Sequence, residues 1–155
     1  MTLVRKFKPE NRLASTLEDR NGLLMTQAVQ RAASNVESLR DEHLVLLDGK
    51  IDQLCAIAAA AAVSQSAEDA AQVYRLAREI LADAGVFNLT PISRVAHSLC
   101  DLMAAGARNP HQWAGVKVHS DAMIALRRLG RTAAGSGVES MIAGLEKISR
   151  ASTRS

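Results

Sequence analysis

The feature that most constrains the fold of this chain is a long series of apolar residues, spaced three or four positions apart, in its first half. Residues at these spacings lie on one face of an α-helix, which completes a turn every 3.6 residues. The series predicts one amphipathic helix over residues 23–62, with Gly49 as the point where it would break. A competing interpretation places the break near Ser34, because Ser34 and Glu37 have the spacing of an N-terminal capping box. The members of the series are Val29, Ala32, Val36, Leu39, His43, Leu47, Ile51, Leu54, Ala58 and Ala61.

The amino-acid composition extends the helical prediction to the rest of the chain. Hydrophobic residues make up 48% of the sequence but aromatic residues only 3%, so the core must consist of aliphatic side chains and alanine. Alanine and leucine are the strongest helix formers, and the β-branched runs of a β-sandwich are absent. We therefore predict an all-α fold, in which a long N-terminal amphipathic helix precedes an antiparallel helical bundle.

Capping and breaking residues divide this bundle into four helices. Ser66, followed by two acidic residues, is typical of a helix start, and Gly85 predicts the end of that helix. Thr90 and Pro91 predict the start of the next helix, which would end near residue 106. A further helix is predicted from about residue 111 to 129, and the last one follows Gly137.

The net charge of +3 comes largely from the two ends of the chain. No basic run is interleaved with aromatic residues, so neither nucleic acid nor a membrane surface is expected as a partner. A signal peptide and a stretch long enough to span a bilayer are also missing, which predicts a cytoplasmic protein. We predict a flexible basic arm over 1–22, a single helical domain over 23–150 and a disordered tail over 151–155.

Helical phasing separates the histidines that could carry chemistry. His97 falls outside the apolar arc of its helix, between Arg94 and Asp101, and is predicted to be exposed. His119 lies inside the apolar arc of its own helix, so it is either a hydrogen-bonded core histidine or a functional group in a groove. His43 lies on the apolar face of the first helix and is interpreted in the same way.

The sequence contains no motif of a conventional active site. Glycine-rich phosphate loops, the nucleophile motif of hydrolases and the Glu-x-x-His pairs of di-iron bundles are all absent. His97 and Asp101 form one pair at helical spacing, but no second pair could complete a metal site. Cys55 and Cys100 lie in apolar patterns and are interpreted as buried free thiols. We expect no metal and no cofactor, and an enzymatic activity stays uncertain.

The segment Ala96-His97-Ser98-Leu99 resembles the phosphoacceptor helix of histidine-phosphotransfer (HPt) domains. These domains are four-helix bundles that pass phosphoryl groups between response-regulator receivers, and their motif reads A-H-x-L-K-G. Ala96, His97 and Leu99 match this motif, whereas Cys100 occupies the lysine position and Asp101 the glycine position. The resemblance implies an HPt-like four-helix bundle in which an exposed histidine accepts phosphate. Because the lysine is missing, Arg94 or a residue from another helix would have to supply the cation.

A longer part of the chain, residues 25–130, resembles the alphaproteobacterial chemotaxis proteins of the CheE family. The resemblance implies that the chain binds response-regulator receivers or modulates their phosphorylation, with a histidine kinase as a further partner. The segments that carry it are Ala84-Gly85-Val86-Phe87, Ser98-Leu99-Cys100-Asp101-Leu102, Trp113, Val118-His119 and Ala125-Leu126-Arg127-Arg128-Leu129.

Two arginines complete the predicted docking face. Arg75 and Arg78 point away from the apolar side of their helix among small alanines, and together with Arg94 and His97 they would meet the acidic pocket of a receiver. The leading hypothesis is therefore a cytoplasmic accessory protein of two-component or chemotaxis signalling. Two alternatives stay open: a true phosphotransferase with His97 or His119 as acceptor, and a scaffold that forms a homodimer through its first helix.

Overall fold

The computed structural model describes residues 25–104 and 110–152, and every regular element in these ranges is an α-helix. This confirms the predicted all-α class. The predicted arm over 1–22, the end of the second bundle helix near residue 106 and the last three residues lie outside the described ranges. The helices are α1 (Met25–Ser38), α2 (Arg40–Ser64), α3 (Ala67–Val86), α4 (Thr90–Ala104), α5 (Pro110–Leu129) and α6 (Ser136–Ser152).

The predicted first helix is interrupted at Leu39, at neither of the two predicted positions. Gly49 lies inside α2 and Ser34 inside α1. The Ser38 hydroxyl donates to the Asn35 carbonyl at 2.8 Å, and such bonds from serine to the preceding turn compete with the helical ladder. The Leu39 amide then closes a tighter turn onto Val36 at 3.2 Å. The chain also divides into two compact units between Leu39 and Arg40, inside the range predicted as a single domain.

In the first unit, α1 presents its whole apolar series to solvent. All of its side chains are exposed, and Met25 and Val29 retain 81% and 61% of their accessible surface. In the second unit the series behaves differently, because α2 turns its apolar residues from Leu47 to Ala61 into the core. The apolar face predicted for one long helix is therefore divided: its α1 part is exposed, and its α2 part is buried in the core.

The second unit is a helical bundle. Helix α2 packs against α3 and α5, and α4 packs against the same two helices, so these four helices form a closed ring. Helix α6 packs over α4 and α5. Apolar side chains from all five helices fill the interior, and burying each one contributes about 1.5–3 kcal/mol. The largest of the fully buried side chains are Leu47, Ile51, Leu54, Leu76, Ile80, Leu89, Ile92, Leu99, Leu102, Met123, Leu126 and Ile142.

The ends of α3 show one correct and one wrong boundary prediction. Ser66 caps the start as predicted, since its hydroxyl accepts from the Asp69 amide at 3.0 Å. The helix does not stop at Gly85 but continues to Val86. Asn88 takes the left-handed conformation (φ 54°) that terminates it, and the Leu89 amide closes the end onto the Ala84 carbonyl at 2.8 Å. This is the Schellman arrangement, in which asparagine can replace glycine.

Helix α6 lies close to α4 and α5 because Gly115 leaves room at their junction. A Cβ atom on Gly115 would lie 2.8 Å from a Leu102 methyl group of α4 and 3.4 Å from Ile148 of α6. The buried face of α6 consists of Ile142, Leu145 and Ser149. The helix continues to Ser152, so the first two residues of the predicted tail, 151 and 152, are helical. No helix within the described ranges is apolar over a length that could cross a bilayer.

Candidate functional site

The exposed side of α4, called the α4 strip below, consists of His97, Asp101 and the half-buried Cys100. Helical phasing predicts this exposure of His97. The His97 side chain retains 65% of its accessible surface, and its Nδ1 atom lies 3.3 Å from a carboxylate oxygen of Asp101 on the next turn. Helix α4 packs against α3, α5 and α6. His97 is therefore an accessible imidazole with an acidic neighbour.

A polar cleft of about 290 Å³ lies between α4 and α6 and includes His97 in its wall. The α6 residues of this cleft were not predicted as site residues, although two features of the sequence indicate them. Glu146 and Arg150 form a charge pair at helical spacing, and Ser149 interrupts the apolar face of α6. The lining residues are Arg94, His97, Ser98, Asp101, Glu146, Ser149 and Arg150.

Arg94 lines the cleft, but its guanidinium is engaged by acidic residues of α6. Nη1 donates to Glu139 at 2.7 Å and Nη2 donates to Glu146 at 3.0 Å. Hydrogen bonds to these carboxylates raise the pKa of Arg94 above its ordinary value, and the bond to Glu139 has the larger effect. Arg94 thus joins α4 to α6. It is half-buried rather than presented on an outer docking face.

Glu146 is shared between two arginines. One of its carboxylate oxygens accepts from Arg94 at 3.0 Å, and the other accepts from Nη2 of Arg150 at 3.2 Å. The Arg150 side chain retains 71% of its accessible surface, against 35% for Arg94 and 30% for Glu146. The Glu146 carboxylate therefore lies in the cleft between the half-buried guanidinium of Arg94 and the exposed guanidinium of Arg150.

His119 is completely buried beneath this cleft. Its Nδ1 atom lies 2.7 Å from the Gly115 carbonyl, and its Nε2 atom lies 2.9 Å from the Ser98 hydroxyl and 3.4 Å from the Ser149 hydroxyl. A carbonyl can only accept, so Nδ1 carries the proton and Nε2 accepts from Ser98. Burial lowers the pKa of His119, which keeps the imidazole neutral.

This environment weighs against His119 as a phosphoacceptor. Both ring nitrogens are engaged, and the ring presents no surface to a phosphoryl donor. Of the two predicted arrangements, the structure shows the hydrogen-bonded core histidine. Gly115 of α5 and Ser98 of α4 satisfy its two nitrogens. Ser149 of α6 joins the network by donating to the Ser98 carbonyl at 2.7 Å, so the network stabilises the floor of the cleft.

The two α3 arginines that the sequence singles out differ in their surroundings. Arg78 places its guanidinium 5.9 Å from the centre of the Tyr74 ring, and Arg75 pairs with Glu79 at 2.9 Å. The charge of Arg78 also acts on Cys100 of α4. Burial raises the pKa of that thiol to about 11, with a further rise from Asp101, and Arg78 opposes the shift. Arg78 therefore borders the α4 strip, whereas Arg75 and Arg94 are held in ion pairs.

Neither cysteine is fully buried, in contrast to the prediction, because each lies at the edge of its apolar face. Cys55 and Cys100 are free, half-buried thiols. The Cys55 thiol lies 3.8 Å from the Ser120 carbonyl, and burial raises its pKa. Within residues 25–104 and 110–152, no three His, Cys, Asp or Glu side chains are grouped as a metal ion would require.

No protein-family model matches the chain, and neither a search of curated proteins nor one of solved structures returns a significant match. The resemblances to HPt domains and to the CheE family therefore stay predictions.

Proposed function

We propose that the chain is a cytoplasmic signalling protein that binds the receiver domain of a response regulator and modulates its phosphorylation. The observation that carries the proposal is the exposure of His97, at 65% of its side-chain surface, on the α4 strip between Arg78 and the α4–α6 cleft. In this proposal the ring of α2 to α5 corresponds to an HPt-like four-helix bundle, to which α6 is added.

The charge on this surface supports an acidic partner. The charge of Arg78 acts on Cys100 of α4 and Arg150 lines the α4–α6 cleft, and both side chains are exposed. The receiver pocket contains a cluster of aspartates, which the phosphoryl group makes more negative. Opposite charges accelerate association and fix the orientation of the partner, and removing one member of a desolvated charge pair weakens binding.

Titration with a panel of receiver domains, each in its unphosphorylated and beryllofluoride-activated form, tests this proposal. We expect at least one receiver to bind, and Arg78→Ala and His97→Ala to weaken that binding tenfold or more. Lys117→Ala is the matched control, because Lys117 is an exposed cation on α5, away from the strip. Binding by no receiver, or equal losses in all three variants, would refute the proposal.

A second candidate function, phosphotransfer, is favoured by the accessibility of the His97 imidazole. Its Nε2 atom would attack the phosphoryl group, and the aspartate of the receiver would be the leaving group. Incubation with a phosphorylated receiver, followed by detection of acid-labile phosphate, tests it. Label should be present in the wild-type protein and in His119→Gln, and absent in His97→Gln. Label that persists in His97→Gln would exclude this function.

A third candidate, self-association through α1, is favoured by the exposed apolar series of that helix. Met25, Val29, Ala32 and Val36 follow the four-three-four spacing of a coiled-coil seam. A single helix of this length is marginal in water without a partner, and we propose that a second copy of the chain supplies one. Light scattering over a range of concentrations tests this, and a constant monomer mass would contradict it.

A further inference from the structure

The arrangement around Glu146 has the form of an occupied oxyanion site. Arg94 donates to one carboxylate oxygen at 3.0 Å and Arg150 to the other at 3.2 Å. Proteins commonly bind phosphate and carboxylate groups through guanidinium groups that donate hydrogen bonds to the oxygens of the anion. The two arginines come from α4 and α6, so the packing of these helices assembles the site.

The cleft has room for an external anion at this position. Its volume is about 290 Å³, roughly ten times the 30 Å³ that one water molecule occupies in the liquid. Glu146 is only partly exposed, but the Arg150 side chain retains 71% of its surface, so an anion could approach from solvent. His97 lines the same cleft and would lie beside the bound anion.

Arg94 has a second anchor that would survive the displacement of Glu146. Its Nη1 atom donates to Glu139 at 2.7 Å, and Glu139 is not among the residues that line the cleft. If Glu146 rotated away, Arg94 would stay attached to α6 through Glu139. One carboxylate therefore holds the arginine, while the other occupies the position of a ligand.

We propose that the α4–α6 cleft binds a phosphoryl oxyanion between Arg94 and Arg150, and that Glu146 regulates this site by occupying it as an internal anion. A phosphoryl group carries more charge and more acceptor oxygens than a carboxylate, so it displaces Glu146 when its local concentration is high. This inference deepens the proposed function, because the site lies beside His97. It requires no receiver, so the two can fail independently.

Titration of the protein with inorganic phosphate at low ionic strength, followed by amide chemical shifts, tests the inference. Glu146→Gln keeps the shape of the side chain and removes the internal anion. We expect it to lower the apparent Kd for phosphate at least tenfold. The matched control is Glu139→Gln, which removes the same charge from the same arginine outside the cleft. We expect it to change the Kd by no more than twofold.

Two results would overturn the inference: no gain in affinity in Glu146→Gln, or an equal gain in Glu139→Gln, which would indicate a general effect of net charge. Adding Arg150→Gln to the Glu146→Gln variant should abolish the gain, and a persisting gain would also overturn it. If Glu146→Gln does not fold, Arg150→Gln alone decides. It should remove the phosphate-induced shifts around His97 that the wild-type protein shows, and shifts that persist would refute the inference.

Discussion

We expect the free energy of unfolding to fall as the pH drops from 7.5 to 5.5, because the bundle buries His119 in its neutral form. Burial lowers the pKa of His119 in the folded protein, whereas an imidazole in the unfolded chain has a pKa of about 6.5. Between these two values the unfolded state binds the extra proton. The contribution of His119 is therefore complete above the unfolded pKa and is lost as the pH falls through and below it.

The loss in the free energy of unfolding follows from the proton that only the unfolded state binds. For a group that stays neutral when folded, the loss is RT ln(1 + 10^(pKa − pH)), which is about 1.4 kcal/mol at pH 5.5 and about 0.1 kcal/mol at pH 7.5. These values are the upper limit for His119, whose pKa is lowered because its ring is completely buried.

Urea denaturation of the wild-type protein and of His119→Gln at both pH values measures this effect. The carboxylates and the other histidines titrate in both proteins, so the difference between the two losses isolates His119. We expect the wild-type protein to lose more stability than the variant, by at most about 1.3 kcal/mol. At pH 7.5 the variant should be less stable by about 1–3 kcal/mol, because the buried Ser98 hydroxyl loses its imidazole acceptor.

Equal losses in the two proteins would refute this account of His119. If His119→Gln does not fold, the NMR titration of the imidazole decides instead. We expect the His119 ring to titrate at a lower pH than an imidazole in the unfolded chain, and an unshifted midpoint would contradict its burial.

Three further predictions concern packing, thiol reactivity and assembly. Gly144→Ala should raise the free energy of unfolding by about 0.5–1 kcal/mol, since no atom lies within 4 Å of the added Cβ. Gly115→Ala should lower the free energy of unfolding by about 1 kcal/mol, because crowding against the buried Leu102 outweighs the gain in helix propensity. Urea denaturation measures both variants, and equal changes in their free energies of unfolding would contradict the difference in packing. Cys100, with its pKa of about 11, should react with iodoacetamide at pH 8 more than tenfold more slowly than a small-molecule thiol, and a normal rate would show that it is not shielded. Val29→Asp should weaken any self-association seen by light scattering, and an unchanged dimer mass would exclude α1 from the interface.

Much of the fold and part of the site could be predicted from local patterns. The exposure of His97 and the inward position of His119 both follow from the 3.6-residue period of their helices. The Ser66 cap also follows from sequence, because its partner, the Asp69 amide, is only three residues away. These features depend on neighbours within one or two helical turns.

The rest of the site depends on contacts between distant residues. Arg94 was predicted to be a docking cation, but its two carboxylate partners lie 45 and 52 residues further along the chain. The pairing of Ser98 with His119 likewise requires α4 and α5 to pack at one register. The predicted break at Gly49 was wrong for a different reason. Gly49 lowers helix propensity by only about 1 kcal/mol, which the burial of Leu47 and Ile51 on either side offsets.

Amide chemical-shift mapping with a receiver domain at saturating concentration tests the central claim most directly. We predict that the perturbed residues form one surface on α3 and α4 that contains Arg78, His97 and Cys100, while Lys117 and Asp121 on α5 stay unchanged. No perturbation by any receiver in the panel, or a perturbed surface centred on α5, would contradict the proposed function.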